Sequence, residues 1–319
     1  MKSAIIGLGT IGSVHAKVIR ELFGEPYAVC DVIEDKLSSF TDSLCFTNYK
    51  DMLDNAPLDV VHICTPHYLH AKMIVECLKR NINVICEKPV CISNAEIDMI
   101  LEAEKTSSAR LGVCLQNRYN APNAYAKDYL SDKQIISATG NVVWKRGEKY
   151  YNSAEWRGKW ATEGGGVMIN QALHTLDLLQ WISGMPEYVT ASTSNLTLDN
   201  VIEVEDTAVA LYSGGSDFSF FATVGSNKDF EVEMTFKTAD ETVKVLTNSV
   251  IVNGKTLSFD KDDAIYGKLC YGSGHKRLIA DFYDCIENDK SFAINGKEGA
   301  KVVKLILGAY KSKGKKVKL

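Results

Sequence analysis

Residues 3–12 read Ser3-Ala4-Ile5-Ile6-Gly7-Leu8-Gly9-Thr10-Ile11-Gly12, an apolar run followed by three glycines in the pattern G-x-G-x-x-G. The pattern is weak alone, but here it stands between a predicted strand and a predicted helix whose apolar residues recur every three or four positions. The first glycine permits a tight turn, the second lets a pyrophosphate approach the backbone, and the third lets the helix pack on the strand. The stretch therefore predicts a dinucleotide site at a helix N-terminus, with Thr10 and Ile11 beside the phosphates.

The first 115 residues alternate short apolar runs with stretches of helical spacing. The runs are rich in Val, Ile and Cys, as strands buried on both faces should be. One helical stretch opens with Ser93 and carries Glu96 three residues later, which is a capping box. This alternation predicts an α/β fold with a doubly wound parallel sheet, a Rossmann domain, over residues 1–118. The predicted strands are Ser3–Ile6, Tyr27–Cys30, Asp59–Cys64, Asn83–Cys86 and Arg110–Leu115.

Asp31 ends the second predicted strand, 19 residues after Gly12. An acid at that distance is placed to hydrogen-bond the adenosine ribose hydroxyls of a dinucleotide. A carboxylate also repels a 2′-phosphate, and no Lys or Arg follows until Lys36. We therefore expect NAD to be preferred over NADP.

The pattern changes after Leu115, and we expect a second domain over residues 119–319. A helical pattern runs from Val167 to Ile182, and the text from Tyr188 to Val252 is strand-like with Gly-rich turns. Strands joined by short turns are antiparallel, so this domain is expected to be α+β with an open, largely antiparallel sheet. We expect the Lys-rich end, residues 311–318, to be a solvated terminus. The other predicted elements are strands Thr207–Tyr212, Phe218–Val224 and Phe230–Phe236, and helices over 275–288 and 297–311.

Composition narrows the class of protein. The 319 residues are 45% hydrophobic and 24% charged, with a net charge of −4, which argues against a general nucleic-acid binder. No apolar run approaches the ~18 residues of a membrane span. The nine cysteines are odd in number and contain no Cys-x-x-Cys pair, so we expect buried thiols in a reducing, cytoplasmic location and no metal site.

Three further segments carry polar groups that can do chemistry. Two of them directly follow predicted parallel strands, whose carboxyl ends border the ligand crevice of a doubly wound sheet. In the third, residues 170, 174 and 177 are spaced to share one face of the predicted helix. Burying such groups unpaired is costly, so they indicate either a functional site or a structural hydrogen-bond network. The segments are Thr65-Pro66-His67-Tyr68-Leu69-His70, Glu87-Lys88-Pro89, and Gly164-Gly165-Gly166 followed by Asn170, His174 and Asp177.

Together these motifs make the chain resemble the glucose–fructose oxidoreductase, inositol dehydrogenase and rhizopine-catabolism family (Gfo/Idh/MocA). The resemblance extends over essentially the whole length, including Trp156-Arg157 and the closing Gly314-Lys315-Lys316-Val317. It implies a Rossmann domain, a second domain on an open sheet, and NAD(P)-linked hydride transfer at a hydroxyl-bearing carbon of a sugar, sugar derivative or cyclitol. It also implies a homodimer or homotetramer packed through the sheet of the second domain.

Carried over by motif, the resemblance implies that Lys88 and His174 are catalytic. Either an imidazole near neutral pH or a desolvated lysine can take the hydroxyl proton, and the sequence leaves both open. This chain has Asn170 where inositol-dehydrogenase-like members have Asp, which makes a weaker base of His174 and places a cyclitol substrate in doubt. The remaining implied cofactor residues are Thr65, Pro66, His67, His70, Glu87, Gln116, Trp156 and Arg157, and the implied substrate residues are Lys88, Arg118, Tyr119, Tyr151, Asn170, His174 and Asp177.

Two other functions remain open at this point. One is a dinucleotide-binding regulator without enzymatic activity on the same fold. The other is a reductase of a non-sugar substrate such as a diol or a tetrapyrrole. The presence of Lys88, His174 and Asp177 together favours an enzyme.

Overall fold

The computed structural model describes residues 1–259 and 272–319. The described chain divides into two compact units, residues 1–116 with 272–300, and residues 117–259 with 301–319. Cys270 lies outside the described residues. In the described part of the chain, no helix is both long and apolar enough to cross a membrane.

The first unit contains a parallel sheet of six described strands in the order β3-β2-β1-β4-β5-β6. This is the order of a doubly wound dinucleotide-binding sheet, so the predicted Rossmann fold is confirmed. Ile5, Val29, Val61 and Ile85 on its central strands are fully buried, as strands covered by helices on both faces must be. The strands are β1 Ser3–Ile6, β2 Ala28–Cys30, β3 Leu44–Phe46, β4 Val60–Ile63, β5 Asn83–Cys86 and β6 Leu111–Val113.

Of the five α-helices described in this unit, four lie at stretches for which the sequence predicted a helix, and the exception is Tyr49–Asn55, which was not predicted. The capping box is present, because the Ser93 hydroxyl accepts from the Glu96 N–H and the Glu96 carboxylate reaches back to the Ile92 N–H. Strand β3 was absent from the sequence-based assignment, because it is a three-residue edge strand with exposed residues and no continuous apolar run. The helices are α1 Thr10–Phe23, α2 Tyr49–Asn55, α3 His70–Leu78, α4 Asn94–Thr106 and α8 Gly274–Glu287.

Helix α8 groups with the first unit, whereas the sequence assigned all of residues 119–319 to one domain. Its buried face explains the difference. Phe282 lies where a Cβ on Gly112 of β6 would stand, and Tyr283 stacks on Phe23 of α1 at 4.2 Å between ring centroids. Residue contacts across sequence separations of this size leave no local signal, so the helix itself is predictable but its partner is not.

The second unit is built on a sheet of nine described strands in the order β14-β13-β12-β11-β7-β10-β9-β8-β15. Most neighbours are antiparallel, as predicted, but β10 runs parallel to β7. Ser213-Gly214-Gly215 joins β9 to antiparallel β10, with φ of +91° and +94° at the two glycines. The strands are β7 Ser137–Val143, β8 Tyr188–Ser194, β9 Thr207–Ser213, β10 Phe218–Thr223, β11 Glu233–Lys237, β12 Thr242–Val245, β13 Ser249–Val252, β14 Lys255–Ser258 and β15 Val317–Lys318.

Two expectations for this unit were wrong. The chain end is not merely solvated, because Val317 and Lys318 pair with β8 as β15. The helix predicted from Val167 begins only at Leu173. The helices are α5 Ala121–Tyr129, α6 Glu148–Tyr151, α7 Leu173–Ser183 and α9 Gly296–Ser312, and the boundary between the two units falls within α9.

Candidate functional site

The glycine turn lies at the carboxyl end of β1, where the strand order of the sheet reverses. Gly7 has a φ of +91°, and a Cβ there would lie 2.7 Å from the carbonyl oxygen of Cys64. A Cβ on Gly12 would lie 1.9 Å from the carbonyl oxygen of Gly7. The first and third glycines are therefore required by packing within the protein.

Gly9 differs from its two neighbours in the motif. Among the described residues, and apart from its two chain neighbours, no atom lies within 4 Å of the position its Cβ would take, and Gly9 caps α1 without any side-chain hydrogen bond to the helix. Thr10 and Ile11 form the first turn of that helix. The open space and the uncapped N–H groups fit a phosphate group, which is the ligand this type of turn accommodates.

Asp31 lies just beyond β2 and is buried. Its Oδ2 accepts a hydrogen bond from the Leu8 N–H at 2.7 Å, so the carboxylate also braces the glycine turn. Its Oδ1 accepts from the Ile33 N–H at 3.0 Å. The Lys36 ammonium lies 3.1 Å from Oδ2, so the first basic residue after the strand pairs with the acid itself.

The residues after β4 form a loop that His70 ties in place. His70 is fully buried, and its Nδ1 and Nε2 lie 2.7 Å and 2.8 Å from the carbonyl oxygens of Pro89 and Thr65. Carbonyl oxygens only accept, so a neutral ring donates to one of them at a time. Burial, opposed by these two carbonyls, lowers the pKa of His70. His70 therefore links the β4 loop to the Lys88 loop from inside the protein, with the buried His67 beside it.

Lys88 follows β5 and is half-buried. The residues on both sides of it are buried and anchored. Glu87 accepts at Oε1 from Nε2 of His15 at 3.0 Å, and at Oε2 from the Lys88 N–H at 3.2 Å. Pro89 offers its carbonyl to His70. The backbone that carries the lysine is thus fixed by side chains of two helices, α1 and α3.

The sequence did not anticipate the group of buried side chains around Glu87. His15 and His275 approach its Oε1 at 3.0 and 3.5 Å, and the three side chains offer donor atoms within 4.8 Å of one another. They come from α1, the β5 loop and α8, at positions 15, 87 and 275. Spacing along the chain cannot reveal such a cluster, although two histidines at apolar positions of amphipathic helices were a usable signal.

In the second unit, Asn170 does not share a helix face with His174 and Asp177, contrary to the predicted spacing. It lies in the turns that precede α7, whereas His174 and Asp177 lie in the helix. Glu205 explains the late start, because its carboxylate accepts from the N–H groups of Gly166 and Met168 at 2.8 and 3.0 Å. Burial raises the pKa of Glu205 to about 7 against those hydrogen bonds.

The triple glycine has a packing role in this anchored segment. A Cβ on Gly166 would lie 1.8 Å from the carbonyl oxygen of Glu205, and one on Gly165 would lie 2.0 Å from the Tyr310 hydroxyl. Tyr310 in turn donates to Glu205 at 2.8 Å. The glycines therefore let the segment that precedes His174 lie directly against Glu205, just before β9, and against Tyr310 of α9.

Tyr150 is the centre of a polar group near the start of that segment. Its hydroxyl accepts from Asn170 Nδ2 at 3.2 Å, from Gln171 Nε2 at 3.1 Å and from the Arg157 guanidinium. The guanidinium lies over the rings of Tyr150 and Trp156 at 4.4 and 4.7 Å. Asn170 also donates to the buried Glu163. The structure thus brings together Asn170, Trp156 and Arg157, which the sequence selected for different ligands.

Arg118 and Asp177 form a buried pair. The guanidinium donates to both carboxylate oxygens, at 2.8 and 2.6 Å, and Gln180 Nε2 donates to the same carboxylate at 3.0 Å. Arg118 and Asp177 are 6% and 1% exposed, so both are engaged inside the unit. This geometry resembles the structural network that the sequence left as an alternative to a ligand site.

The remaining predicted residues lie at three places. Gln116 and Tyr119 are the ends of a short 3₁₀ turn after β6, with Gln116 buried and Tyr119 half-buried. His174 is half-buried in the first turn of α7. Tyr151 lines a cavity of about 460 Å³ in the second unit together with Arg157, Lys159, Asp199 and Glu203.

Two family models match most of the chain. One, described as an oxidoreductase family with an NAD-binding Rossmann fold, matches residues 1–115. The other, the GFO/IDH/MocA C-terminal domain, matches residues 134–300. Together they account for both units of the structure.

Solved structures and curated proteins agree with these matches. The WlbA dehydrogenase from Bordetella pertussis, solved with NADH and UDP-GlcNAcA, is 26% identical and has a TM-score of 0.87 over 100% of this chain and 98% of that one. The myo-inositol 2-dehydrogenase of Thermotoga maritima is 25% identical over 58% of this chain, and the match spans about half of that protein, 55%. The uncharacterized oxidoreductase YrbE of Bacillus subtilis is 22% identical over 97% of this chain and 93% of its own length.

Proposed function

Because the chain belongs to the GFO/IDH/MocA oxidoreductase family, we propose that it interconverts a CH–OH group and a carbonyl of a sugar or sugar derivative with NAD as the hydride carrier. The observation that carries this proposal is the placement of Lys88. It follows β5, two strands from the glycine turn along the carboxyl edge of the parallel sheet, and its backbone is anchored on both sides by buried histidines. Ligands bind at this edge in open α/β sheets.

The residues of the glycine turn are proposed to hold the cofactor. Gly9 leaves room for the pyrophosphate, the N–H groups of Thr10 and Ile11 face it, and Asp31 binds the adenosine ribose. When bound, the nicotinamide supplies the hydride acceptor or donor. The loop of Thr65, Pro66 and His67 follows the neighbouring strand β4 and is proposed to contact the same ligand.

Lys88 and His174 are proposed as the catalytic groups. Oxidation removes a hydride from carbon and a proton from the hydroxyl oxygen, so the protein must provide a proton acceptor and stabilise charge on that oxygen. An imidazole and an amine can share these two roles in either order. Asn170 engages Tyr150 and Glu163 through its amide nitrogen, and an amide does not stabilise imidazolium as a carboxylate would.

A nucleotide-linked sugar acid is the first substrate we propose to assay. The WlbA dehydrogenase, which is similar in structure over the full length of this chain, was solved with UDP-GlcNAcA. Asn170, in place of the acid of inositol-dehydrogenase-like relatives, favours testing such a substrate before a cyclitol.

We also propose that two copies of the chain associate through the outer face of the second sheet. Val209 and Leu211 on β9 are each 55% exposed, and Phe221 of β10 lies beside Val209 in the same register. A second copy would cover this apolar strip. Leu211→Glu is expected to lower the molar mass measured by light scattering to that of the monomer. The equally apolar Leu196→Glu, in the loop after β8, should leave it unchanged, and identical masses for all three proteins would contradict the interface.

The function is tested by binding and turnover together. NADH binding is measured by energy transfer from the protein's tryptophans, and turnover by NADH absorbance over a panel of UDP-linked uronic acids, free pyranosides and myo-inositol. Binding with turnover on a sugar supports the proposal. Binding without turnover across the panel would favour the dinucleotide-binding regulator, and absence of binding would refute the cofactor site.

A further inference from the structure

A chain of buried polar side chains runs from α8 to the loop that carries Lys88. The Tyr283 hydroxyl lies 2.9 Å from Nε2 of His62, and the Nδ1 atoms of His62 and His15 lie 2.8 Å apart. Nε2 of His15 lies 3.0 Å from Oε1 of Glu87. All four residues are buried, and none of them is more than 4% exposed.

The carboxylate at one end of the chain fixes the direction of the hydrogen bond that reaches it. Burial alone would raise the pKa of Glu87, but the hydrogen bonds from His15 and His275 outweigh it and hold that pKa well below its ordinary value. Glu87 is therefore a carboxylate, which only accepts. Burial, and then the neighbouring His15, lowers the pKa of His62 well below its ordinary value, so His62 carries one ring proton.

These protonation states give each atom one role when His15 also carries a single proton. His15 donates through Nε2 to Glu87 and accepts at Nδ1. His62 donates through Nδ1 to His15 and accepts at Nε2 from the Tyr283 hydroxyl. All donors then point toward Glu87, and no ring nitrogen of these two histidines lacks a partner.

The far end of the chain reaches Lys88 through Glu87. Oε2 of Glu87 accepts from the Lys88 N–H at 3.2 Å, while Oε1 is held by His15. A carboxylate whose two oxygens are engaged on different partners cannot rotate without breaking a bond. The torsion of the Glu87 side chain, and with it the backbone of Lys88, is therefore set by groups as distant in sequence as Tyr283.

We propose that Tyr283, His62 and His15 form a one-directional hydrogen-bond chain that fixes Glu87 and thereby positions Lys88, an inference that rests on the proposed function of Lys88. Tyr283, His62 and His15 are positioning residues. They contact one another and Glu87, and they act on the reaction only through it.

A metal ion is the competing use of the same side chains. His15, Glu87 and His275 have the spacing of a metal site, and the thiol of Cys114 lies 3.9 Å from His15 Nε2. A cation would need the lone pair of His15 Nε2, which in the proposed chain carries the proton donated to Glu87. The two arrangements are exclusive, so the protonated nitrogen of His15 distinguishes them.

Tyr283→Phe is the central variant, because it removes one hydroxyl and keeps the ring that stacks on Phe23. We expect kcat to fall about tenfold while the Kd for NADH changes less than twofold. His15→Leu should lower kcat further, and His15→Gln, which keeps an N–H near Glu87, should restore most of it. Phe23→Leu changes the packing of Tyr283 without touching its hydroxyl and should leave kcat unchanged.

Two measurements need no substrate. Nitrogen-15 spectra of the labelled full chain at pH 8 should show His15 protonated at Nε2 and His62 at Nδ1. The rate at which Lys88 reacts with an amine-directed reagent, followed by mass spectrometry, should change at least threefold in Tyr283→Phe and His15→Leu but not in Phe23→Leu.

The results that would contradict the hydrogen-bond chain, the positioning of Lys88 and the proposed function differ from one another. A wild-type His15 protonated at Nδ1, or one equivalent of tightly bound zinc that His275→Gln removes, would overturn the chain. Unchanged Lys88 reactivity in Tyr283→Phe and His15→Leu would overturn the positioning role. If the spectra and the Lys88 reactivity are as expected but the wild type turns over none of the panel, the proposed function fails and the chain stands.

Discussion

The loop of Glu87, Lys88 and Pro89 and the segment that precedes His174 are held in place by opposite means. The first offers acceptors, the Glu87 carboxylate and the Pro89 carbonyl, and histidines donate to them. The second offers donors, the N–H groups of Gly166 and Met168, and the carboxylate of Glu205 accepts them. Irregular backbone must pair its polar groups when buried, and side chains from elsewhere in the unit do so here in both polarities.

This difference has a consequence for how each segment responds to change. The anchors of the first loop are histidine side chains, two of them around one carboxylate that belongs to the loop. The anchor of the second segment is itself a titratable carboxyl with a pKa of about 7. The first loop should thus be sensitive to the loss of single donors, and the second to pH.

The largest expected effect is the loss of kcat when the side chain of Lys88 or His174 is removed. Lys88→Ala and His174→Ala should each lower kcat about a hundredfold or more, because a positioned proton-transfer or charge-stabilising group is worth ~10²–10⁴ in rate. NADH affinity should change little, which fluorescence titration checks. Lys79→Ala, in the turn after α3, serves as the matched lysine control.

The pair also decides which group takes the proton. If His174 does, the acidic limb of kcat/KM for oxidation should vanish in His174→Ala and remain in Lys88→Ala. A limb that remains in His174→Ala but vanishes in Lys88→Ala would assign the proton to the lysine. Normal turnover by both alanine variants would place the site elsewhere.

Sequence reasoning was unequally successful in these two regions. The strand before Lys88 is a short apolar run within a regular alternation of strands and helices. The end of the strand, and the position of Lys88 just after it, can therefore be predicted from the local sequence pattern. The start of α7 did not follow, because apolar residues 167–169 fit a helical pattern, whereas the Glu205 carboxylate accepts from the N–H groups of Gly166 and Met168, which lie 39 and 37 residues away in sequence. Likewise, the three-residue strand β3 and the placement of α8 in the first unit depend on partners that are distant in sequence.

The second prediction concerns Glu205 and sharpens the contrast in pH response. Between its ordinary value of 4.5 and about 7, the folded protein keeps a proton on Glu205 that the unfolded chain has released. The free energy of unfolding should therefore fall as the pH rises through this window, by about 3 kcal/mol in all. Above pH 7 this contribution is fully lost.

Urea unfolding followed by tryptophan fluorescence measures this change in the free energy of unfolding. The signal reports on the second unit, which contains Trp144, Trp156, Trp160 and Trp181. The glutamine in Glu205→Gln does not titrate. The difference in the free energy of unfolding between wild type and this variant should therefore shrink from pH 5 to pH 8. Parallel pH profiles for the two proteins would show that the carboxyl does not hold its proton on folding.

Gly9 and Gly166 differ in what surrounds them: the space beside Gly9 is proposed to hold the cofactor, whereas the space beside Gly166 is filled by the protein itself. Gly9→Val should weaken NADH binding at least tenfold while the thermal midpoint hardly changes, because the new Cβ has no described atom within 4 Å apart from the chain neighbours of Gly9. Gly166→Ala should instead lower stability by ~1–3 kcal/mol, because its Cβ would meet the Glu205 carbonyl. Equal losses of stability in both variants would remove the distinction, and unchanged NADH affinity in Gly9→Val would show that the turn is not the cofactor site.

The smallest effect is expected at Asp31, where the first unit also anchors a loop with a carboxylate. Because a 2′-phosphate beside Asp31 is repelled, NADH should bind at least tenfold tighter than NADPH, about 1.4 kcal/mol. Asp31→Ala should narrow that difference in affinity, although it also removes the acceptor of the Leu8 N–H and so weakens the binding of both nucleotides.

Lys36→Met supplies the matched test, since the Lys36 ammonium lies 3.1 Å from the Asp31 carboxylate and offsets part of its charge. Without it the carboxylate repels the 2′-phosphate more strongly, and the gap should widen. Fluorescence titration of the three proteins with both nucleotides decides the matter: tighter binding of NADPH by the wild type, or a gap that neither substitution moves, would mean that Asp31 serves the glycine turn alone.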